Sequence, residues 1–403
     1  MLEHRARPPT EKPILVKGVG RGQNELSQNL APNPKRPRDR LTFPGFCAIL
    51  QAIVCAIGCA RRNDEGVIAI ATIRDVAERA GVSVTTVSHV INKTRFVSEE
   101  LRGRVLRAIE ELNYQPSGVA RSLRRKRTHT IGMIIPDNTN PFFAEVARGI
   151  EDASFELGYN VILCNSDGDL EKEMDYLGLL IEKRVDGLVF VSAGSNQATI
   201  EMLSTQEVPV VIVDRDISGL AMDSVLTDNQ QGGYQATRYL LTLGHRRIAC
   251  ITGPSQLTPS AERVTGYRNA LKEAGIAVDD TLILAGDFRS QSGYEAMRDL
   301  LSLSPPPTAV FVCNDLMAIG ALCAAHEAGL QLPRQLSIVG FDDIALASFT
   351  TPRLTTVAQP KYEMGLLAAE MLAERIKHKD LSPRRRFLDV ELIIRDSCAA
   401  LQS

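Results

Sequence analysis

Between residues 140 and 360, seven short clusters of polar and aromatic residues each follow an apolar run. They are Asn140-Pro141-Phe142-Phe143, Asp214-Arg215, Ser260-Ala261-Glu262-Arg263, Asp287-Phe288, Asn314-Asp315, Phe341-Asp342 and Gln359-Pro360. Carboxylates, carboxamides, guanidinium groups and flat rings gathered in one cleft suit a neutral, polyhydroxylated ring. Its hydroxyls need paired donors and acceptors, while its C–H faces pack on aromatic walls. The same stretch holds no nucleophile motif, no phosphate-cradling glycine loop and no metal-ligand cluster. Binding without catalysis and without a cofactor is therefore the expectation.

A second constellation lies upstream and asks for a different partner. Thr72-Ile73-Arg74-Asp75 reads as a capped helix start, with an acid three residues after the threonine. Gly81-Val82-Ser83 makes a turn, and Ser83 caps a second helix from Val84 to Asn92. That helix buries Val87, Val90 and Ile91 and turns Val84, Thr85, Ser88 and His89 outward. Small hydroxyl residues and one histidine, without a salt-bridge lattice, let a helix lie close in a DNA major groove. Ser98 is expected to cap a third helix over Glu99–Asn113, closed on the others by Leu101, Val105, Ile109 and Leu112. Pro116 then stops the helix, and Ser117 starts a stub ending in Leu123-Arg124-Arg125-Lys126-Arg127. A turn and a half of helix is unstable alone, so a binding event is expected to fold it.

The elements that carry these residues follow from periodicity. From residue 130 onward, apolar runs alternate with amphipathic helical stretches, which implies parallel sheets covered by helices on both faces. Eight such units are too many for one small sheet, so two lobes are expected, with the polar clusters at the carboxyl ends of the strands. Charge divides the same way. Residues 71–127 carry twelve Lys/Arg against six Asp/Glu, and residues 1–70 carry eleven against six. Residues 128–403 carry 23 against 36. A basic module beside an acidic body suits a polyanion on one side only. The eight cysteines form no CxxC pair, and Cys164, Cys250 and Cys313 read as buried thiols.

Residues 1–70 read as a disordered extension or as sequence upstream of a true start near Val67. The apolar run Phe46–Ala60 is short for a membrane span, which needs about 20 residues, and also fits a signal-peptide core.

Thr72–Asn92 followed by Pro116–Leu123 resembles the headpiece and hinge of the LacI/GalR family of repressors. The segment 130–396 resembles that family's two-lobed core, a type I periplasmic-binding-protein-like fold. The resemblance implies an all-α helix-turn-helix headpiece joined to an α/β core. It implies that Val84, Thr85 and His89 face bases, that Thr86, Ser88 and Asn92 hold phosphates, and that Leu123 wedges into the minor groove beside Arg124. The cleft loops match the family's ribose-binding pattern. By that match Phe142 and Phe143 sandwich the sugar from one lobe and Phe288 from the other. Asn140, Asp214, Arg215, Arg263, Asn314, Asp342 and Gln359 hydrogen-bond its hydroxyls, with Phe341 beside them.

The domain plan expected is an extension over 1–70, a DNA-binding domain over 71–115, a hinge over 116–129 and a sensing core over 130–396. Lobe 1 spans about 130–244 and 360–388, and lobe 2 about 245–359 and 389–396. The function expected is a cytoplasmic, homodimeric repressor that leaves its DNA operator on binding D-ribose, with no membrane partner. A purine or another sugar as effector stays open, and an exported sugar-binding protein is the alternative of another class.

Overall fold

The computed structural model describes residues 71–115, 127–191, 197–205, 208–215, 217 and 221–401. The hinge residues Leu123 and Arg124 and the run Phe46–Ala60 lie outside the described residues. The chain divides into two compact units between Gln115 and Pro116.

The first unit is three helices, α1 (Ile73–Ala80), α2 (Val84–Asn92) and α3 (Glu99–Glu111). Thr72 and Asp75 exchange a reciprocal capping box at the start of α1, and Gly81 ends that helix at a φ of 64°. Ser83 accepts from the Thr86 amide, a cap that stabilises a helix by about 1 kcal/mol. Val76, Val87 and Val105 meet at the centre, where each is fully buried. Two expectations need correction. Ser98 precedes α3 but makes no side-chain cap bond. Ala108, and not Leu101, joins Val105 as a buried residue of that helix, because α3 turns its small residue to the crowded side.

The second unit contains two six-stranded sheets. Lobe 1 holds β1 (Thr130–Ile135), α4 (Pro141–Glu156), β2 (Asn160–Asn165), α5 (Leu170–Glu182), β3 (Gly187–Phe190), α6 (Gln197–Thr205), β4 (Val210–Val213) and β5 (Asp223–Thr227). Lobe 2 holds α7 (Asn229–Thr242), β6 (Ile248–Thr252), α8 (Thr258–Glu273), β7 (Ile283–Ala285), α9 (Ser290–Leu301), β8 (Ala309–Val312), α10 (Asp315–Glu327), β9 (Ser337–Asp342) and β10 (Thr355–Ala358). The chain returns to lobe 1 with α11 (Lys361–Lys377) and β11 (Arg385–Leu388), then crosses back as β12 (Glu391–Ile393). Strand order is β11-β5-β4-β3-β1-β2 in one sheet and β12-β10-β9-β8-β6-β7 in the other, parallel throughout except for β12. The inner strands are apolar on both faces because helices cover both, as β3 and β8 show by being buried at every position.

The lobes divide earlier than the sequence reading placed them. Helix α7 packs on the second sheet, where Ala236 and Leu240 join the core of Ile248 and Val339. The first crossover therefore lies at residues 227–229 and not at 244, since the helix leaves lobe 1 with its preceding turn. Three helix pairs, α4 with α11, α7 with α8 and α9 with α10, cross at facing glycines. A Cβ on Gly149, Gly365, Gly233, Gly266, Gly293 or Gly320 would lie 1.9 to 2.2 Å from a carbonyl oxygen of the facing helix. Backbone-to-backbone contact at these crossings fixes where α4 and α10 present their first turns, the seats of Asn140, Phe142, Phe143 and Asn314.

Candidate functional site

In the first unit, α2 presents the surface expected of a groove-reading helix. Val84 is 41% exposed and Thr85 is exposed, while Thr86, Ser88 and His89 are half-buried. The ring of His89 is fixed by a 2.7 Å bond between Nδ1 and Thr94 Oγ1. Asn92 donates through Nδ2 to Ser88 O at 2.8 Å, and the Thr86 hydroxyl meets Ser83 Oγ at 2.9 Å. Arg104 was not foreseen: its Nη2 donates to Ala80 O at 2.6 Å and Gly81 O at 3.2 Å, so a side chain of α3 holds the turn that aims α2.

In the second unit, a small cavity is lined by nine of the eleven residues singled out for a ligand. These are Asn140, Phe142, Phe143, Asp214, Arg215, Arg263, Phe288, Asn314 and Asp342, joined by Pro259. A larger outer cavity shares Asn140, Phe143, Arg215 and Phe288 with it and continues past Asp137, Asp167 and Arg289.

Each wall has a local cause. Asn140 caps α4 by accepting from the Phe142 amide at 3.0 Å, which starts the helix so that two successive phenylalanines enter the cavity. Their rings meet edge to face, centroids 5.0 Å apart. Opposite, Phe288 sits at a φ of 69°, and its ring lies where a Cβ on Gly253 would approach within 2.1 Å, so that position must be glycine. Asp214 and Asp342 also have positive φ, 65° and 109°. Strained backbone at three cleft residues is the pattern of a site held rigid by its surroundings.

Two carboxylates and two guanidinium groups face one another in this buried space. Arg215 Nε lies 3.6 Å from Asp214 Oδ2, and its guanidinium stands 5.5 Å from the Phe143 ring centre. Asp214 Oδ1 is buried without a hydrogen-bond partner, which leaves an acceptor for a ligand hydroxyl. Arg263 donates to Asn229 Oδ1 at 2.8 Å and to Cys313 O at 2.6 Å, and reaches Asp342 Oδ1 at 3.6 Å. Burial pushes the Asp342 carboxyl up to about 6, against the pull of Arg263 and the hydrogen bond from Gln359. Burial also raises Asp214, opposed by Arg215 and Arg263, and lowers Arg215, opposed by Asp214 and Glu173. All four charges are thus taken from water, and their mutual attraction offsets part of that cost.

Two of the foreseen residues stand behind the cavity. Phe341 is fully buried in the lobe 2 core and lies flat under Arg263, whose Cζ is 3.7 Å from the ring centre. It is a platform and not a wall, because successive residues of a strand face opposite ways and Asp342 takes the cleft side. Gln359 accepts from Thr227 Oγ1 at 2.6 Å and donates to Asp342 Oδ1 at 2.8 Å, so it joins both early crossovers to the site. Asn314 lines the cavity, yet its Oδ1 accepts from Met317 N and its Nδ2 donates to Phe288 O, each at 2.9 Å. Its amide caps α10 and fixes the Phe288 turn. Asn229 and Lys361 were missed, and Asp315, though part of the Asn314-Asp315 cluster, was given no role. Asp315 is buried, accepts from Ile344 N at 2.9 Å and Thr356 Oγ1 at 2.6 Å, and holds the backbone just beyond Asp342. Burial, then the neighbouring Asp342, keeps its carboxyl well above the usual range.

A three-helix unit with a helix-turn-helix and a two-lobed core with a polar and aromatic cleft are the parts of a ligand-controlled DNA-binding regulator. Residues 128–396 match the family described as periplasmic binding proteins and sugar binding domain of LacI family, and residues 72–117 match bacterial regulatory proteins, lacI family. The chain belongs to the LacI family of transcriptional regulators. It is 47% identical over 329 residues to the ribose operon repressor of Escherichia coli K12, covering 81% of this chain and 100% of that one. It is 44% identical over 329 residues to the HTH-type transcriptional repressor PurR of Photobacterium profundum, covering 81% and 98%. Among solved structures, the lac repressor dimer bound to operator and an anti-inducer aligns with a TM-score of 0.75 at 29% identity, covering 82% of this chain and all of that one. A LacI family regulator from Enterococcus faecium with bound ribose aligns at 0.63 and 36% identity, covering 68% and 100%.

Proposed function

We propose that this protein is a cytoplasmic repressor that grips its operator as a homodimer and leaves it on binding D-ribose. The observation that carries the sugar is the inner cavity: an aromatic pair on one lobe, Phe288 on the other, and Asp214, Arg215, Arg263 and Asp342 between them. Two carboxylates accept from vicinal hydroxyls while two guanidinium groups donate to them, and the rings take the C–H faces. The relatives named for the ribose operon and for bound ribose support the same choice. A headpiece continuous with the core speaks against an exported binding protein, and a regulator of this design needs no catalytic step.

On the DNA side, Val84, Thr85 and His89 are assigned to base edges and Thr86, Ser88 and Asn92 to phosphates. Leu123 and Arg124 are assigned to the minor groove on the sequence alone. One short helix reads too few base pairs, which calls for two copies. Edge strand β2 favours this, since Ile162 and Leu163 are 40% and 44% exposed where soluble edges are usually polar. Sugar draws the lobes together and alters the spacing of the paired hinges, so both hinge segments no longer dock. The identity to PurR repressors carries a second reading, a purine as the cleft ligand. Calorimetry of the full chain against D-ribose, other pentoses, hexoses and purine bases separates the two. Heat with a purine and none with ribose would replace the first reading by the second.

A further inference from the structure

Lys361 opens α11 with its side chain only 6% exposed, on the crossover from lobe 2 to lobe 1. An ammonium is costly to bury unless it is paired and hydrogen-bonded. Its Nζ donates to the carbonyl oxygens of Asp342 and Asp343, each at 2.8 Å, and lies 3.6 Å from Glu145 Oε2. Asp342 and Asp343 have φ of 109° and 52°, so consecutive residues hold conformations that side-chain-bearing residues resist. Such a turn persists only where its surroundings fix it, and two carbonyl dipoles aimed at one buried cation do so. Lys361 and its partners come from three elements. Asp342 ends β9 of lobe 2, α11 packs on lobe 1, and Glu145 lies on α4, the helix that carries Phe142 and Phe143.

We propose that Lys361 is the positioning residue of the effector cleft: its ammonium locks the Asp342–Asp343 turn so that the Asp342 carboxylate faces the sugar, and ties that turn to the helix carrying the ring pair. The proposal rests on the cleft being the effector site. The charged and polar groups that face Asp342 are Arg263 from α8, Gln359 from the crossover, Asp214 from the loop after β4, Asp315 from α10, and Lys361 itself. Asp343 is held separately by Arg395 Nη2 at 2.7 Å. The Gln359 amide also donates to the Asp342 carbonyl, at 3.4 Å, but among these groups Lys361 alone reaches both carbonyls of the turn with a side chain. Its removal therefore tests orientation, and the loss of its charge lets the Asp342 carboxyl move further up.

The test uses the full chain in native, Lys361→Met and Lys361→Arg forms. Carbon-13 NMR follows the titration of the Asp342 carboxyl without sugar, assigned through Asp342→Asn, and calorimetry follows D-ribose binding across pH. Lys361→Met should raise the Asp342 midpoint and weaken ribose binding about ten- to a hundredfold, the loss expected when one charge-assisted hydrogen bond is no longer held in place. Lys361→Arg should restore both in part. If Lys361→Met does not fold, Lys361→Gln, which keeps a donor and drops the charge, takes its place. An unmoved Asp342 midpoint, or an arginine variant no better than the methionine one, overturns the proposal. If the midpoint moves but the native protein binds no ribose, the positioning role stands and the sugar assignment fails.

Discussion

Arg263 stacks on Phe341 at 3.7 Å and points Nη1 at Asp342 Oδ1 from 3.6 Å, so adjacent residues of one strand end supply its floor and its counter-charge. Asn229 and the Cys313 carbonyl fix the remaining edges of the guanidinium. The side chain has no freedom to search for a ligand; it is already placed. Arg263→Ala is therefore expected to weaken ribose binding by about a hundredfold or more, by removing a charge-assisted donor and leaving Asp342 buried without its cation. Operator binding without sugar should persist, and ribose should no longer release it. An electrophoretic operator assay with and without ribose checks both arms.

The pH dependence follows from Asp342. Its carboxyl stands at about 6 in the folded, sugar-free protein, above the value of about 3.9 in an unfolded chain. A raised carboxyl contributes stability that is complete below about pH 4 and lost as pH rises through 6. In the proposed sugar complex hydroxyl groups donate to the carboxylate, so binding runs the other way. Ribose affinity should fall about tenfold per unit as pH drops below 6, and Asp342→Asn should bind weakly with a flatter profile. Calorimetry across that range measures it; a native profile as flat as that of the asparagine variant speaks against Asp342 as an acceptor.

Asp223 is fully buried and takes bonds from Arg375 Nε at 2.7 Å, Arg384 Nη2 at 3.0 Å and the Arg384 amide at 2.8 Å. It joins β5, α11 and the lead into β11, so it holds the returning chain on lobe 1. Asp223→Asn should destabilise the core by about 3–5 kcal/mol, the usual cost of stranding a buried ion-pair partner. Denaturant unfolding of the full chain reads this on the core transition.

Leu163→Lys places a charge on edge strand β2 where an apolar side chain is 44% exposed. It should yield monomers by sedimentation velocity and weaken operator binding while ribose still binds. A dimer of unchanged stability would move the pairing surface elsewhere.

The residues that line the cleft were more legible in the sequence than the lobe boundaries. Asp214, Phe288, Asn314 and Asp342 follow apolar runs, and a parallel sheet delivers every such strand end to one edge, so position in the pattern was enough. Phe341 misled because a residue next to a cleft residue shares its sequence neighbourhood but not its face. Strand β5 escaped notice because Asp223, Ser224 and Thr227 are polar; the burial of Asp223 and Thr227 rests on Arg375 and Gln359, which lie far along the chain. The lobe membership of α7 depended on glycine contacts between helices, which periodicity does not encode. Lys361 reads as a surface lysine at a helix start, and only the folded turn of Asp342 and Asp343 gives its charge a purpose.

If sugar and operator act on one conformational equilibrium, as proposed, each must weaken the other's binding by the same factor. The most direct test is to measure ribose affinity of the full chain alone and on its operator, and operator affinity with and without saturating ribose. The account predicts two equal ratios, both well above one. Operator affinity that does not change with ribose, any other sugar or a purine base would contradict it, however tightly the headpiece holds DNA.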